Sequence, residues 1–335
     1  MEYRPLGNTG IRVSSLCFGT MSFGDAADEP TSRAMYAQCR EAGVNTFDCA
    51  NVYAGGCSEE ILGRLVADER ADVVLTTKVG FAMGDGPNDI GLSARHIGAS
   101  VEASLRRLAT DRVEVLFVHT VDPRTPVETT LRALDRLVQQ GKVLSLGASN
   151  WAAWQIAHAR GISARESLAP FDVIQPMYNL VKRQAEVEIL PMCRALGLGV
   201  ISYSPLGGGL LTGKYARSER PDAGRLVDNR MYAARYGDAA YYDVAESFRT
   251  LAGDVGVPPA TLAVAWVARH PGVTAPLIGA RNLKQLKESL AATRVSLSDE
   301  LYQQISNLSP APPPATDRTE ERRGVQYKGS EEKYK

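Results

Sequence analysis

Short apolar runs rich in β-branched residues alternate with longer segments of helical period along most of this chain of 335 residues. The runs that predict strands lie at 16–18, 44–47, 73–77, 113–118, 143–147, 173–174, 200–203 and 275–278. The segments that predict helices lie at 31–42, 58–68, 93–109, 126–140, 151–160, 182–196 and 259–270. Strands that are nearly all followed by helices are expected to run parallel and to be joined by right-handed crossovers.

The segment at 93–109 shows why these helices need a sheet. Ser93 is a favourable N-cap residue, and Ile97, Val101, Leu105 and Leu108 form one apolar stripe at helical spacing. A helix of this kind is only marginally stable in isolation. Its stripe must therefore pack on another element, which the alternating strands provide.

A parallel sheet of this kind can stay open, as in doubly wound folds, or close into a (β/α)8 barrel. An open sheet that binds a dinucleotide normally carries G-x-G-x-x-G after its first strand, whereas the turn at 18–24 reads FGTMSFG. Polar residues recur just past the strand ends, at 48, 78, 119, 149, 175 and 204. Because such residues converge only if the strands form a ring, we predict an α/β fold, a (β/α)8 TIM barrel over residues 1–309.

Three segments lie outside the repeating pattern. The runs 4–6 and 11–13 flank the turn GNTG and predict an N-terminal β-hairpin. Residues 205–240 show little periodicity and predict a large loop over the barrel mouth. The tail at 310–335 is proline-rich and then charged, which predicts a flexible segment whose Tyr327 and Tyr334 offer contacts to the surface.

Composition and charge exclude several classes of protein. Lys plus Arg equals Asp plus Glu at 38 each, so the chain lacks the positive footprint of a nucleic-acid or anionic-membrane binder. No apolar run approaches the roughly eighteen residues of a membrane span, and the opening MEYRP has no signal-peptide pattern. Five scattered cysteines without a C-x-x-C pair indicate free thiols and no metal site. We expect a cytoplasmic protein with a small-molecule substrate.

Four strand-end and loop residues form a candidate catalytic set, namely Asp48, Tyr53, Lys78 and His119. A lysine at the end of an apolar strand needs a counter-charge, and Asp48 is the natural partner. The ammonium is expected to lower the pKa of the Tyr53 phenol, so that it donates a proton near neutral pH. His119 would orient a carbonyl oxygen against the Tyr53 hydroxyl. The set predicts carbonyl reduction, in which a hydride reaches carbon and a proton reaches oxygen.

Several motifs together resemble those of the aldo-keto reductase family. They are FDCANVYAGGCSEEILG at 47–63, Lys78, His119, LGASN at 146–150, Gln175, YSPL at 203–206, and IGAR at 278–281 followed by Gln285. The resemblance implies a barrel whose N-terminal hairpin closes the bottom, and NADPH bound in an extended form without a Rossmann domain. It also makes Tyr53 the general acid, assisted by Lys78 and Asp48, with His119 placing the substrate.

The resemblance further implies a cofactor site. Ser149, Asn150 and Gln175 would hold the nicotinamide carboxamide, and Tyr203 would stack on the ring. The other positions implied to contact NADPH are Gly19, Thr20 and Met21 after the first strand, Ser204, Leu206, Gly208, Lys214 and Arg225 along the pyrophosphate, and Gly279, Arg281, Gln285 and Ser289 at the adenosine end.

Specificity is expected to depend on a few of these positions. Arg281 suits a 2′-phosphate, because a guanidinium binds phosphate in a fork, and it therefore favours NADP over NAD. Phe23 and Phe81 follow strand ends and are candidate walls of the substrate pocket. Met21 stands where many members have Trp, and Ser289 stands where Asn is usual, so this chain departs from the family pattern at both positions.

Two other functions stay open at this stage. One is a non-catalytic NADP(H) redox sensor, in the manner of the potassium-channel β-subunits that share this resemblance. The other is a reductase of a nucleotide-linked keto-sugar, which the tyrosines at 232, 236, 241 and 242 could stack on. The G-x-x-x-x-G-K match at 208–214 does not indicate a P-loop, because Tyr215 stands where Ser or Thr must bind magnesium.

Overall fold

Eight parallel strands close into a barrel in the computed structural model, which describes residues 1–215 and 224–320. The described strands are β1 Tyr3–Pro5, β2 Arg12–Ser14, β3 Cys17–Gly19, β4 Thr46–Asp48, β5 Val74–Val79, β6 Val113–Val118, β7 Val143–Ser149, β8 Phe171–Gln175, β9 Gly199–Tyr203 and β10 Ala275–Ile278. The barrel runs in sequence order from β3 to β10, and β10 pairs with β3 to close it. The predicted (β/α)8 fold is confirmed.

Helices surround the barrel and cover its sheet. Those in the described ranges are α1 Glu29–Glu41, α2 Cys57–Val66, α3 Ala94–Arg107, α4 Val127–Gln139, α5 Ala153–Glu166, α6 Ile189–Leu196, α7 Arg225–Asp228, α8 Arg230–Tyr236, α9 Ala239–Asp254, α10 Pro259–Arg269, α11 Leu283–Leu290 and α12 Asp299–Asn307. In α3, the Ser93 hydroxyl caps the helix by accepting from the His96 amide at 3.2 Å. Ile97, Val101 and Leu105 of the predicted stripe are buried against the sheet.

The N-terminal hairpin, β1 paired antiparallel with β2, covers the amino ends of the barrel strands. Leu6 is fully buried and packs in one apolar cluster with Val115 and Ile201 from the barrel interior. The adjoining Gly7 has a positive φ of 55°, and a Cβ there would lie 2.3 Å from the Gly199 amide nitrogen. The hairpin therefore fits closely against the start of β9, which closes the lower end of the barrel.

Strand register brings the carboxyl ends of neighbouring strands to one rim. Gly19 pairs with Asp48, and Asp48 pairs with Thr76 on the next strand. Farther round, Ala148 pairs with Ile174 and Ser149 with Gln175. Side chains at or just beyond these positions consequently face a common space although they are far apart in the sequence.

The structure differs from the predicted elements in several places, and the helices α9, α11 and α12 have no counterpart among the predicted ones. The segment at 182–196 is split into a 3-10 turn, Gln184–Glu186, and α6, because Pro191 lacks an amide hydrogen and is tolerated only in the first turn of a helix. The predicted loop at 205–240 instead contains a 3-10 segment, Gly207–Thr212, and the helices α7 and α8. Residues 216–223 of that segment lie outside the described ranges.

Two further points concern the chain as a whole. No single described helix is long and apolar enough to cross a membrane, although α9 and α10, bent by 99° at their junction, pass that test together by length and composition. Of the tail predicted at 310–335, residues 321–335 lie outside the described part, including Tyr327 and Tyr334.

Candidate active site

A cleft of about 910 Å³ opens at the carboxyl ends of the barrel strands. Most of the predicted site residues line it: Gly19, Met21, Asp48, Tyr53, Phe81, His119, Ser149, Asn150, Gln175, Tyr203, Ser204, Leu206, Gly208, Lys214, Arg225, Gly279, Arg281 and Gln285. Lys78 is fully buried beneath its floor. One end of the cleft holds the phenol and imidazole, and the other is lined by basic side chains.

Three predicted contact residues do not line the cleft. Thr20 is buried and its hydroxyl donates to the Asp48 backbone carbonyl at 3.1 Å. It therefore stabilises the end of β4 without facing the cleft. Phe23, predicted as a pocket wall, is buried in the apolar core with its ring 5.7 Å from that of Phe18. Ser289 is on the buried face of α11 together with Leu286.

The centre of the site is a buried ion pair between Lys78 and Asp48, both fully inaccessible to solvent. The Lys78 ammonium donates to the Asp48 carboxylate, to the Cys49 carbonyl at 2.7 Å and to the Tyr53 hydroxyl at 3.3 Å. All three of its hydrogens therefore have partners, as a buried ammonium requires. The strand ends hold this geometry, because Lys78 is in β5 and Asp48 ends the neighbouring β4.

The other oxygen of Asp48 accepts two further hydrogen bonds. The Thr76 hydroxyl donates to it at 2.6 Å, and the Gln175 amide nitrogen donates at 2.9 Å from the opposite side of the barrel. Gln175 thus has a role that the sequence did not suggest, since it braces the carboxylate in addition to lining the cleft. Thr76 was missed altogether, although its position two residues before Lys78 puts it on the same face of β5.

Burial changes the pKa values of the reactive groups. It raises the pKa of Tyr53 to about 12, because desolvation and the Asp48 charge outweigh the opposing effect of the Lys78 ammonium. This is the reverse of the lowering expected from the sequence. For Lys78, burial acts to lower the pKa, but the Asp48 carboxylate outweighs it and the pKa is raised. The Lys78 ammonium therefore stays charged while the phenol keeps its proton.

His119 stands beside the phenol as a neutral imidazole. Burial, followed by the Lys78 charge, lowers the pKa of His119 to about 3. Its ring lies 6.0 Å from the Tyr53 ring and 4.5 Å from that of Phe81. The His119 Nδ1 atom is buried and has no hydrogen-bond partner among the described residues. Because His119 lines the cleft, its neutral ring can form a hydrogen bond with a small polar group there.

A second hydrogen-bonded group follows along the rim from β7 to β9. The Tyr203 hydroxyl donates to the Asn150 side-chain carbonyl at 2.7 Å, and the Asn150 amide donates to the His119 backbone carbonyl at 2.9 Å. The Ser149 hydroxyl donates to the Gln175 carbonyl at 2.9 Å. Asn150 has a φ of 60°, a left-handed conformation that Asn tolerates better than most residues. These bonds fix the surface that Ser149, Asn150 and Tyr203 present to the cleft.

Three positively charged side chains, Lys214, Arg225 and Arg281, line the far end of the cleft. Burial, the Arg281 charge and the Arg225 charge together lower the pKa of Lys214. The Asp228 carboxylate opposes this lowering, and none of the salt bridges found within residues 1–215 and 224–320 includes Lys214, Arg225 or Arg281. Three cations that repel one another on the wall of a cleft form a site for an anionic ligand.

Several cleft residues escaped the sequence analysis. Met231 and Arg235 of α8 and Glu288 of α11 all line the cleft. The α8 residues come from a segment without clear periodicity, so no local signal identified them. In the described part of the chain, no group of three or more His, Cys, Asp or Glu residues could hold a metal ion.

Comparison with known proteins adds independent observations. The model of the Aldo/keto reductase family matches residues 15–310. The chain is similar to a probable voltage-gated potassium channel subunit beta from Oryza sativa subsp. japonica, at 38% identity over 95% of this chain and 99% of the relative. It is similar to the uncharacterized oxidoreductase YrpG of Bacillus subtilis, at 38% identity over 93% of this chain and 97% of the relative. It is also 33% identical to the versiconal hemiacetal acetate reductase of Aspergillus parasiticus, over 91% of this chain and 96% of the relative.

Proposed function

Because the chain belongs to the aldo/keto reductase family, we propose that it reduces an aldehyde or ketone to an alcohol with NADPH, using Tyr53 as the general acid. The observation that carries this proposal is the contact of the Lys78 ammonium with the Tyr53 hydroxyl at 3.3 Å, above a carboxylate that keeps the lysine charged. A phenol, an ammonium and an imidazole at one end of a cleft are the groups that proton transfer to a carbonyl oxygen needs.

The buried phenol is suited to donate a proton late in the reaction. With a pKa of about 12, Tyr53 is protonated at neutral pH and can hydrogen-bond to a carbonyl oxygen. As that oxygen gains negative charge, it becomes basic enough to take the Tyr53 proton. The phenolate that remains is stabilised by Lys78, whose raised pKa keeps it charged. Lys78 thus stabilises the Tyr53 phenolate, which is the product of the proton transfer.

His119 has a positioning role in this proposal. Its imidazole is neutral over the working pH range, because its pKa is about 3. A neutral ring can donate one hydrogen bond to the carbonyl oxygen without competing with Tyr53 as an acid. Phe81, in contact with the imidazole, limits how far the ring can turn.

The residues of the cleft fit NADPH. The amide and hydroxyl groups of Ser149, Asn150 and Gln175 are suited to hold a carboxamide near Tyr53, and the face of Tyr203 to support a flat ring. The basic end, formed by Lys214, Arg225 and Arg281, is suited to the phosphates. When bound there, the nicotinamide would supply the hydride that reaches the carbonyl carbon. The guanidinium of Arg281 lines the cleft and forms no salt bridge within the described ranges, which supports a preference for the 2′-phosphate of NADP.

The test is Tyr53→Phe, which removes the proton donor and keeps the ring. We expect kcat for 4-nitrobenzaldehyde to fall by about 100- to 10,000-fold, while the Kd for NADPH, measured by fluorescence titration, stays close to that of the wild type. Tyr241→Phe is a matched control, since its hydroxyl accepts from Lys182 away from the catalytic set. Wild-type turnover by Tyr53→Phe would show that another group is the acid.

A second candidate is an NADP(H)-responsive subunit, which the similarity to proteins named as channel β-subunits favours. A stoichiometric partner in a pull-down, combined with negligible turnover across a broad carbonyl panel, would select it over the reductase. The keto-sugar alternative loses support, because Tyr236 is fully buried and the Tyr241 hydroxyl is bonded to Lys182. Of the four tyrosines in that segment, Tyr232 lines the cleft.

A further inference from the structure

A second buried ion pair lies at the end of the segment 53–59, here called the Tyr53 segment, and the proposed proton transfer does not use it. Glu59 is in the first turn of α2 and is fully inaccessible to solvent. Arg107, at the end of α3, donates from Nε to one oxygen of this carboxylate at 2.8 Å, and a second guanidinium nitrogen lies 2.7 Å from the same oxygen. The guanidinium supplies the counter-charge that a buried carboxylate needs.

The other oxygen of Glu59 is bonded to the strand that carries Lys78. The Thr77 hydroxyl donates to it at 2.5 Å, and Thr77 directly precedes Lys78 in β5. Because successive side chains of a strand point to opposite faces, Thr77 faces the helices while Lys78 faces the barrel interior. The Tyr53 segment is therefore attached to β5 on both faces, by the Tyr53 contact with Lys78 inside the barrel and by the Glu59 bond outside it.

The backbone between these two attachments adopts a conformation that needs support. Ala54, Gly55 and Gly56 have positive φ angles of 48°, 64° and 102°. For Ala54 this left-handed region is unfavourable, and such a residue persists only where the surrounding structure holds it. Arg107 lies against this turn, since a Cβ at Gly56 would be 2.8 Å from its Cδ and Nε atoms. The ion pair with Glu59 therefore borders the strained turn and holds the start of the helix that follows it.

We propose that Glu59, held by Arg107, is a positioning residue that keeps the Tyr53 hydroxyl against the Lys78 ammonium. This inference rests on the proposed reductase function, because it concerns the acid of that same reaction. Without the bonds of Glu59, the strained turn can relax and the 3.3 Å contact between Tyr53 and Lys78 lengthens. Lys78 then stabilises the phenolate less, so proton transfer slows while the surfaces proposed to bind NADPH and substrate stay in place.

The main variant is Glu59→Gln, which removes the charge and keeps the shape of the side chain. We expect the single-turnover rate constant for oxidation of NADPH by 4-nitrobenzaldehyde, measured by stopped flow, to fall by about 10- to 100-fold. The Kd for NADPH and the aldehyde concentration that gives half the maximal rate should change by less than about 2-fold. A purely structural defect would instead lower the amplitude of the reaction, because fewer molecules would be active. The Ser58 hydroxyl, which donates to the Thr20 carbonyl at 2.8 Å, keeps the start of α2 attached in this variant.

A double variant tests whether Glu59 acts through the Tyr53 hydroxyl. In Tyr53→Phe, where that hydroxyl is already absent, adding Glu59→Gln should lower the residual rate constant by less than about 2-fold.

Thr77 offers a second comparison within the same contact. Thr77→Val removes the hydroxyl that Glu59 accepts from and is expected to lower the rate constant by about 3- to 10-fold. Thr77→Ser keeps the hydroxyl and is expected to stay within about 2-fold of the wild type.

Glu114→Gln is the matched control. Glu114 is also a buried carboxylate that joins an arginine to β5, since it accepts from Arg70 at 3.0 Å and from the Leu75 amide at 2.7 Å. Leu75 is near the amino end of β5, away from the Tyr53 segment. We expect Glu114→Gln to lower Tm about as much as Glu59→Gln does and to leave the single-turnover rate constant unchanged.

The outcomes separate this inference from the proposed function. A wild-type rate constant in Glu59→Gln, an equally large effect of that change in Tyr53→Phe, or an equal loss in Glu114→Gln would overturn the positioning role. If circular dichroism shows that Glu59→Gln does not fold, Thr77→Val decides, and a wild-type rate constant there would refute the role. If the wild type does not reduce the aldehyde, or if Tyr53→Phe keeps the wild-type rate, the proposed function fails and the inference falls with it.

Discussion

Replacement of Lys78 by Met tests the buried ion pair on which the site depends. The change removes the ammonium that Asp48, the Cys49 carbonyl and Tyr53 all accept from. Asp48 would keep its bonds from Thr76 and Gln175 but would lose its counter-charge in a site without solvent access. An uncompensated carboxylate in such a place either remains charged at high cost or takes up a proton.

The size of the effect follows from the partners that are lost. Removal of one member of a buried pair costs about 3–5 kcal/mol of the free energy of unfolding. Thr76→Val removes one hydroxyl bond to the same carboxylate and is expected to cost about 1.5–3 kcal/mol. Combining Lys78→Met with Asp48→Asn removes both charges, so the double variant should be destabilised by about 1–3 kcal/mol less than the sum of the single variants.

Urea unfolding followed by circular dichroism, together with Tm, measures this cycle, and NADPH-dependent reduction of 4-nitrobenzaldehyde measures activity. We expect both single charge variants to lose nearly all turnover, and the double variant to recover stability without recovering activity. Additive single effects, within about 0.5 kcal/mol, would show that the two charges do not stabilise each other. Wild-type stability of Lys78→Met would refute the idea that Asp48 needs its partner.

Two further predictions concern charge and pH. Because burial lowers the pKa of His119 to about 3 from an ordinary value of 6.5, the folded state is favoured above pH 6.5, and this stability is lost as the pH falls toward 3. Between pH 6.5 and 4, the free energy of unfolding should therefore decrease by about 3 kcal/mol less in His119→Gln than in the wild type. An equal decrease in both proteins would show that His119 is not the cause. Arg281→Met should lower the ratio of kcat/KM for NADPH to that for NADH by about 10- to 100-fold, and a ratio equal to that of the wild type would remove Arg281 from recognition of the 2′-phosphate.

The local sequence pattern was sufficient to predict the barrel and to select candidate site residues at its rim. The alternation of strands and helices depends on residue period, which can be counted along the chain, and the strand ends follow from it. Asp48, Lys78 and His119 come at or directly after strand ends, so their convergence follows from closure of the barrel. Residue type then restricted the chemistry, since a lysine at the end of a buried strand must find an acid.

Only the tertiary structure decided how each side chain is surrounded. Phe23 follows a strand end just as Phe81 does, yet the first is in the core and the second in the cleft, because neighbouring helices and loops bury one and not the other. The direction of the Tyr53 pKa shift likewise depended on burial, which no spacing in the sequence reports. Arg235 lines the cleft with its guanidinium packed on the Tyr232 ring, a contact that the sequence does not predict. These outcomes depend on contacts between distant segments, whereas strand and helix period is set by neighbouring residues.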